Sequence, residues 1–255
     1  MMNQYLLSLC YDGTDFHGWQ LQPNALTVQA VLYDALRILG FGESPPLGCS
    51  RTDAGVHADV FCCTVRTKKV WNCAALIRAL NSNLPHTVRV LTCEEVAETF
   101  HSRYDCVGKR YRYQIWNAPQ ENPFLLRYAH WERAPLDADK LNELAQPLLG
   151  TNDFTAFCAS GAGTKTSVRT LKRADFEQHG HLLIFTAEAD GFLYNMVRIL
   201  AGTLLQRAKR PKALPGIAEI LALRDRTLAG ATLPPQGLFL EKVEYRHKTF
   251  YGENA

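Results

Sequence analysis

The chain has 255 residues, of which 47% are hydrophobic and 21% are charged. This composition is typical of a globular protein and excludes a long disordered arm. We expect one large domain or two of about half that size. No apolar run approaches the roughly 18 residues of a membrane-spanning helix, and the first residues lack the pattern of a signal peptide. These features predict a cytoplasmic protein.

The formal net charge of +3 is too small to establish a nucleic-acid partner by itself. The distribution of the charge is more informative, because basic residues concentrate at residues 109–113, 169–173 and 207–212. The first of these clusters alternates with tyrosines. Three clusters, one of them interleaved with aromatic rings, predict a groove that binds RNA or DNA.

The eight cysteines contain no C-x-x-C pair, so neither a zinc ribbon nor a redox dithiol is indicated. Most of them lie in apolar stretches that resemble strands. We therefore interpret them as small buried hydrophobic residues, and we predict no metal site.

The first half of the chain alternates strand and helix patterns. Apolar residues recur every three or four positions after Thr27, and Gly40 ends that helical pattern. The predicted elements are a strand at 5–11, a helix at 27–39, strands at 46–50 and 56–65, a helix at 71–83 and a strand at 87–92. Their order is β-α-β-β-α-β.

The second half opens with a strand in which Tyr111, Tyr113 and Ile115 alternate with polar residues. Such alternation is typical of a half-buried strand. Further elements are predicted as a helix at 137–149, strands at 166–177 and 181–189, helices at 193–206 and 215–222, and a strand at 238–245. We therefore predict an α+β fold with two similar halves, residues 1–105 and 106–255, each with an antiparallel sheet covered by helices on one side.

The run of residues 50–58 combines a carboxylate, a guanidinium and a glycine turn. Asp53 lies between a predicted strand and Gly55, where a turn can aim a short side chain into a cleft, so it is our candidate nucleophile. Arg51 can reach a phosphate or a base from the same loop. The alternative interpretation is an ordinary Asp-Ala-Gly turn beside a solvated arginine.

Two further residues fit a catalytic site. Arg198 lies in an apolar helical pattern, where an unpaired guanidinium is costly, so we expect a carboxylate partner such as Asp53. The alternative is a solvent-facing arginine. Tyr111 lies beside Lys109 and Arg110, so its ring can stack on a base while its hydroxyl reaches a reaction centre. A core tyrosine with a satisfied hydroxyl explains the same spacing.

Five separated motifs occur along the chain in one order. They are YDGTDFHGWQ at 11–20, RTDAGVHA at 51–58, KRYRY at 109–113, FLYNMVR at 192–198, and GLFL at 237–240 followed by Val243 and Tyr245. Together they resemble the tRNA pseudouridine synthase A family over nearly the whole length. The sequence departs from the family pattern in two places. Ser50 stands where the family usually has glycine. The basic segment 206–211 contains no glycine, whereas the family commonly has one there.

The resemblance implies a pseudouridine synthase fold, whose two sheets are joined around a central cleft. It implies isomerisation of uridine to pseudouridine in the anticodon stem-loop of tRNA, base flipping, a homodimer and no cofactor. Asp53 takes the position of the essential aspartate, Tyr111 that of the active-site tyrosine and Arg198 that of the arginine paired with the aspartate. Further RNA contacts are predicted at Arg51, Lys109, Arg110 and His57.

The chemistry of these residue types fits this reaction but leaves the role of Asp53 open. An ionised carboxylate can attack the uracil ring or the ribose, or it can act as a base at the ribose. Two other functions remain as alternatives. One is an RNA-binding protein of the same fold without catalysis. The other is a hydrolase that releases the base, although such enzymes usually pair two carboxylates.

Overall fold

The computed structural model describes residues 2–42, 44–161, 165–210 and 215–252. The chain divides into two compact units. Unit 1 comprises Met1–Val107 together with Phe239–Ala255, and unit 2 comprises Gly108–Leu238. The division after Val107 lies two residues from the predicted boundary, but the end of the chain differs from the prediction. It belongs to unit 1 because the last strands pair within the N-terminal sheet.

Unit 1 is built on a mostly antiparallel sheet with two helices. Its elements are β1 (Asn3–Tyr11), α1 (Val28–Ile38), β2 (Leu47–Gly48), β3 (His57–Thr67), α2 (Cys73–Asn83), β4 (Val88–Val96), β10 (Leu238–Tyr245) and β11 (Lys248–Tyr251). The strand order is β4-β1-β3-β10, with β2 on β3 and β11 on β10. Only the short β3–β10 pairing is parallel among these. The predicted order β-α-β-β-α-β is confirmed.

Both helices of unit 1 begin with a side-chain cap. The Thr27 side chain accepts a hydrogen bond from the backbone N–H of Ala30, and the Asn72 side chain accepts one from Ala75. Both residues satisfy an N–H group that has no partner inside its helix. Helix α1 then buries one stripe of side chains, which includes Val28, Leu32, Ala35 and Leu36.

The strands of unit 2 are also mostly antiparallel. Its elements are β5 (Cys106–Asn117, which begins two residues before the division), β6 (His130–Glu132), α3 (Ala138–Ala145), β7 (Gly150–Asp153), β8 (Val168–His179), β9 (Leu182–Ala189), α4 (Met196–Lys209) and α5 (Ile217–Leu223). The order is β5-β9-β8-β7, and β6 runs parallel to β5 at its edge. Short 3₁₀ turns lie at Gln146–Leu148, Thr155–Phe157, Arg226–Leu228 and Pro235–Gly237.

Some element boundaries differ from the sequence prediction for identifiable reasons. The helix predicted from residue 193 begins at Met196, because Asn195 has a left-handed backbone with φ of 60°. The helix predicted to residue 149 ends at Ala145 and continues as a 3₁₀ turn that contains Pro147. The short strands β6, β7 and β11 were not predicted. Mostly antiparallel strands together with helices confirm the α+β class.

Within the described parts of the chain, no helix combines the length and the apolar character needed to cross a membrane.

Candidate active site

The loop that carries Asp53 is fixed by the segment of residues 11–20. The Trp19 N–H donates to the carbonyl of Thr52 at 3.2 Å, and the Gly55 N–H donates to the carbonyl of Phe16 at 3.1 Å. The hydroxyls of Tyr11 and Thr52 are hydrogen-bonded at 2.8 Å in the buried interior. These bonds lie on both sides of Asp53, so its backbone is held in one conformation before any ligand binds.

Two glycines allow this close packing of loop on loop. Gly18 has φ of 81°, and a Cβ atom built there would lie 2.3 Å from the carbonyl oxygen of Thr52. A Cβ atom at Gly13 would lie 2.0 Å from the carbonyl oxygen of Val56. Both distances are far shorter than real carbon–oxygen contacts, so any other residue would push the Asp53 loop away. The glycines of the 11–20 motif therefore serve the geometry of the 51–58 motif.

Within the Asp53 loop, the residues that fix the backbone are buried and the candidate functional side chains are accessible. Thr52 and Val56 are buried, whereas Asp53 is half-buried and Arg51 is exposed. The Val56 N–H donates to the Asp53 carbonyl at 3.1 Å and closes the turn. A half-buried carboxylate on a rigid turn is reachable by a substrate and partly shielded from water. The ordinary solvated turn that the sequence also allowed would not need the buried anchors.

His57 has a different role from the predicted one. Its side chain is 1% exposed, and its ring stacks on Phe239 with the ring centres 4.5 Å apart. Its Nδ1 atom accepts a hydrogen bond from the Gly13 N–H at 3.0 Å and lies 3.2 Å from the Asp12 carboxylate. The structure thus gives His57 a bracing role inside unit 1 in place of the predicted RNA contact.

Tyr111 lies on β5 in unit 2, where it pairs with Ala187 of β9. Its side chain is 6% exposed, and its ring meets Phe192 edge to face with the centres 5.0 Å apart. Tyr113, two residues along the same face, is fully buried and donates to the Pro234 carbonyl at 2.7 Å. Burial raises the pKa of Tyr113 well above its ordinary value. Tyr111 thus lies beside Phe192 of the 192–198 motif.

Arg198 is held within unit 2 by two acceptors. Its Nε donates to the Leu233 carbonyl at 2.6 Å, and its Nη1 donates to the Asn195 Oδ1 at 2.8 Å. These bonds fix the plane of the guanidinium. The predicted pairing of Arg198 with Asp53 stays a prediction, because the two residues belong to different units.

The sequence analysis missed Asn195, which supports Arg198 in two ways. Its left-handed backbone ends the preceding loop and starts α4, and its side-chain oxygen accepts from the guanidinium. Asparagine is one of the few residues that adopts this backbone readily. The spacing could have indicated this role, because an asparagine at the start of a helix lies three positions before the arginine that it contacts.

The basic clusters are less available to RNA than the sequence predicted. Lys109 is 9% exposed, so Arg110, which keeps partial exposure, is the better candidate of the two for an RNA contact. Arg173 donates to the carboxylates of Asp175 and Glu177, both at 2.5 Å. Its positive charge is therefore largely compensated within β8.

The third basic cluster, at 207–212, has mainly structural contacts among the described residues. Arg207 is 2% exposed and donates to the carbonyls of Pro215 and Leu228. Burial lowers the pKa of its guanidinium. Lys209 lies 2.6 Å from the Glu132 carboxylate. Of the described residues in this cluster, Arg210 is therefore the candidate for an RNA contact. Residues 211–212 of the predicted cluster lie outside the described residues.

No three histidine, cysteine or acidic side chains gather as a possible metal site among the described residues. The cysteines only partly match their predicted burial. Cys49, Cys62 and Cys63 are buried, whereas the other five are half-exposed. Two of those five, Cys73 on α2 and Cys93 on β4, have their sulfur atoms 3.0 Å apart.

Comparison with known proteins agrees with the motifs. A family model described as tRNA pseudouridine synthase matches residues 144–246. The tRNA pseudouridine synthase A of Lysinibacillus sphaericus is 42% identical over 247 residues, which cover 96% of this chain and 100% of the relative. The enzyme of the same name from Thermoanaerobacter pseudethanolicus is 39% identical over 244 residues (96% and 100%). That from Moorella thermoacetica is 41% identical over 241 residues (94% and 98%). This chain belongs to the tRNA pseudouridine synthase A family.

Proposed function

We propose that this protein is an isomerase that converts uridine to pseudouridine in tRNA, with Asp53 as the essential catalytic group. The observation that carries the proposal is the Asp53 loop itself. A half-buried carboxylate is held there by hydrogen bonds on both sides, from Trp19 to Thr52 and from Gly55 to Phe16. Such preorganisation is what a group needs in order to act on one atom of a bound nucleotide.

The reaction requires a carboxylate, a surface on which the uracil ring can stack, and a site shielded from water. The bond between uracil N1 and ribose C1′ breaks, the uracil turns, and C5 bonds to C1′. The hydrogen on C5 leaves as a proton while N1 gains one, so no atom is lost from the RNA. The target nucleotide must leave the stack before this chemistry can occur.

We propose distinct roles for the other site residues. Arg198, with its guanidinium plane fixed by Leu233 and Asn195, keeps Asp53 ionised. Tyr111 stacks on the uracil or assists removal of the C5 proton. Arg51, which is exposed, binds the phosphate of the flipped nucleotide or occupies the gap that it leaves.

The test follows release of tritium from the C5 position of uridines in an unmodified tRNA. The wild-type protein is compared with Asp53→Asn, which keeps the shape of the side chain but removes its nucleophilic charge. We expect release by the wild type and none by the variant, with tRNA binding retained by both. Release of free uracil would identify a base-releasing hydrolase instead. Binding of tRNA without tritium release by the wild type would identify a non-catalytic RNA-binding protein.

The target within tRNA is proposed to be the anticodon stem-loop, which the family resemblance implies. Sequencing of the tRNA after chemical labelling of pseudouridine locates the modified positions. We expect labels in the anticodon arm and none when Asp53→Asn is used. Labels confined to another arm would contradict this choice of target.

We also propose that the protein acts as a homodimer in the cytoplasm, where it meets tRNA. One chain carries a net charge of only +3, and two chains would double the positive surface available to a polyanion. Light scattering measures the assembly directly. A mass of twice the 28.6 kDa of one chain is expected, and a mass of one chain would contradict the dimer.

A further inference from the structure

Residues 101–105 form a closed turn in unit 1. The His101 N–H donates to the Asp105 carboxylate at 2.8 Å, and the Asp105 N–H donates back to the His101 carbonyl at 3.0 Å. The His101 Nδ1 atom accepts hydrogen bonds from the N–H groups of Arg103 and Tyr104, at 3.2 and 3.1 Å. Four bonds within five residues make this surface turn rigid.

Ser102 fastens the turn to the interior of unit 1. The residue is fully buried, and its hydroxyl donates to the Leu47 carbonyl at 2.5 Å. Its own carbonyl accepts from the Tyr245 hydroxyl at 2.8 Å. The turn is thus anchored to both β2 and β10.

Those two residues are an aromatic ring and a cation. Tyr104 is 77% exposed, and one face of its ring stacks on His101 with the centres 4.1 Å apart and the planes 29° apart. Arg103 is exposed, and its guanidinium makes no hydrogen bond or ion pair with the described residues. Apart from its stack on His101, this large aromatic ring is held out in water on a rigid turn.

We propose that this turn, residues 101–105, is a contact for an unpaired nucleotide of the tRNA substrate. Tyr104 stacks on the base with its free face, and Arg103 binds the adjacent phosphate. Ring stacking on unpaired bases and arginine contacts to phosphate are the usual means by which proteins hold single-stranded RNA. The inference deepens the proposed function and rests on it.

The anchor to Leu47 places the contact near the catalytic loop of the same unit. Leu47 precedes Arg51 by four residues, so their Cα atoms are at most about 14 Å apart. Ser102 is hydrogen-bonded to Leu47, and Tyr104 follows Ser102 by two residues. The proposed nucleotide contact therefore belongs to the same unit as the Asp53 loop and is linked to it through Leu47.

The test compares Tyr104→Ala and Tyr104→Phe with the wild type, using the same unmodified tRNA. Because a stacked base contributes enough to change affinity about fivefold or more, Tyr104→Ala is expected to raise Kd and KM by at least about fivefold. The kcat should stay within twofold of the wild type, because Tyr104 takes no part in the chemistry. Tyr104→Phe keeps the ring and should bind like the wild type.

Tyr251→Ala is the matched control, since Tyr251 is also an exposed tyrosine of unit 1, at 53% exposure. It should leave Kd unchanged. Arg103→Ala provides an independent measurement, because loss of one phosphate contact lowers the slope of log K against log salt by about 0.7 to 0.9. Thermal unfolding is recorded for every variant, and we expect no change at these exposed positions.

The outcomes separate this proposal from the proposed function. If the wild type isomerises tRNA and Tyr104→Ala has a Kd within twofold of it, the nucleotide contact is wrong and the enzyme function stands. The same conclusion follows if Tyr104→Phe weakens binding as much as Tyr104→Ala, because the ring would then not be the contact. If the wild type neither binds nor isomerises tRNA, the proposed function fails and the contact fails with it.

Discussion

At the scale of single residues, the candidate site depends on backbone conformations that few side chains tolerate. Gly18 has a left-handed backbone and lies against Thr52, and Asn195 has a left-handed backbone and binds Arg198. Each acts through its neighbour, so each is a positioning residue. A pattern of polar and charged residues alone identifies Asp53 and Arg198 but not these supports.

Replacing Gly18 with alanine is expected to abolish most activity. The new Cβ atom would meet the Thr52 carbonyl at 2.3 Å, and φ of 81° is strained for alanine, so the Asp53 loop must move. A displacement of about 1 Å can cost about a hundredfold in rate. Tritium release from tRNA measures the loss. Gly42→Ala is the control, because nothing lies within 4 Å of its Cβ position. Equal activity of the two variants would refute the bracing role of Gly18.

Arg198→Lys keeps the positive charge but removes the planar fork. Lysine cannot donate to the Leu233 carbonyl and the Asn195 side chain in the fixed geometry of a guanidinium. We expect kcat to fall at least about tenfold, which corresponds to roughly 1.4 kcal/mol of lost transition-state stabilisation. Arg37→Lys, at an exposed position of α1, should have wild-type kinetics. Full activity of Arg198→Lys would mean that charge alone suffices.

At the scale of elements, the periodic spacing of apolar residues predicts which face of a helix or strand is buried. The apolar stripe of α1 and the alternation of Tyr111 and Tyr113 on β5 are confirmed, because each depends on residues close in the chain. The burial of Arg207 was not predictable, because its partners are the backbone carbonyl groups of Pro215 and Leu228. Every residue has a backbone carbonyl group, so the residue types at 215 and 228 do not reveal that they accept these hydrogen bonds.

The edge strand β6 supports a prediction about pH. His130 is half-buried, and burial lowers its pKa below the ordinary value of 6.5, with Glu132 opposing and Lys209 adding to the shift. Because the unfolded chain binds the proton more readily, stability is complete above pH 6.5 and falls as the pH drops toward the lower pKa of the folded state. His130→Gln should remove this part of the acid dependence in urea unfolding at pH 7 and pH 5.

His247→Gln, at an exposed position, is the control for the His130 experiment. It should reproduce the wild-type loss of stability between pH 7 and pH 5. An unchanged acid dependence in His130→Gln would show that other groups cause it.

At the scale of the whole molecule, unit 1 is discontinuous in sequence. Its sheet is complete only when β10 pairs with β3 and the Tyr245 hydroxyl reaches the Ser102 carbonyl. Leu240 and Val243 of β10 are fully buried. The predicted division at residue 105 missed this, because no local pattern shows which strand the last residues will join.

This discontinuity predicts the behaviour of fragments. Residues 1–107 alone should lack a cooperative urea transition, because β3 has lost its neighbour β10. Residues 1–107 joined to 239–252 by a flexible glycine-serine linker of about 15 residues should regain one. Circular dichroism against urea concentration measures both. A cooperative transition in the shorter fragment, at the same midpoint, would contradict the requirement for β10.

The same feature determines when the Asp53 loop can be completed during synthesis. Asp53 precedes β3, and the β10 residues that pair with β3 are made only after the whole of Gly108–Leu238. At about 5 to 20 residues per second, a ribosome needs roughly 7 to 26 s to translate that intervening segment. During this interval the edge of β3 that later pairs with β10 is an unpaired strand edge. Nascent chains of this protein therefore pass through an aggregation-prone stage that a continuous N-terminal domain would avoid.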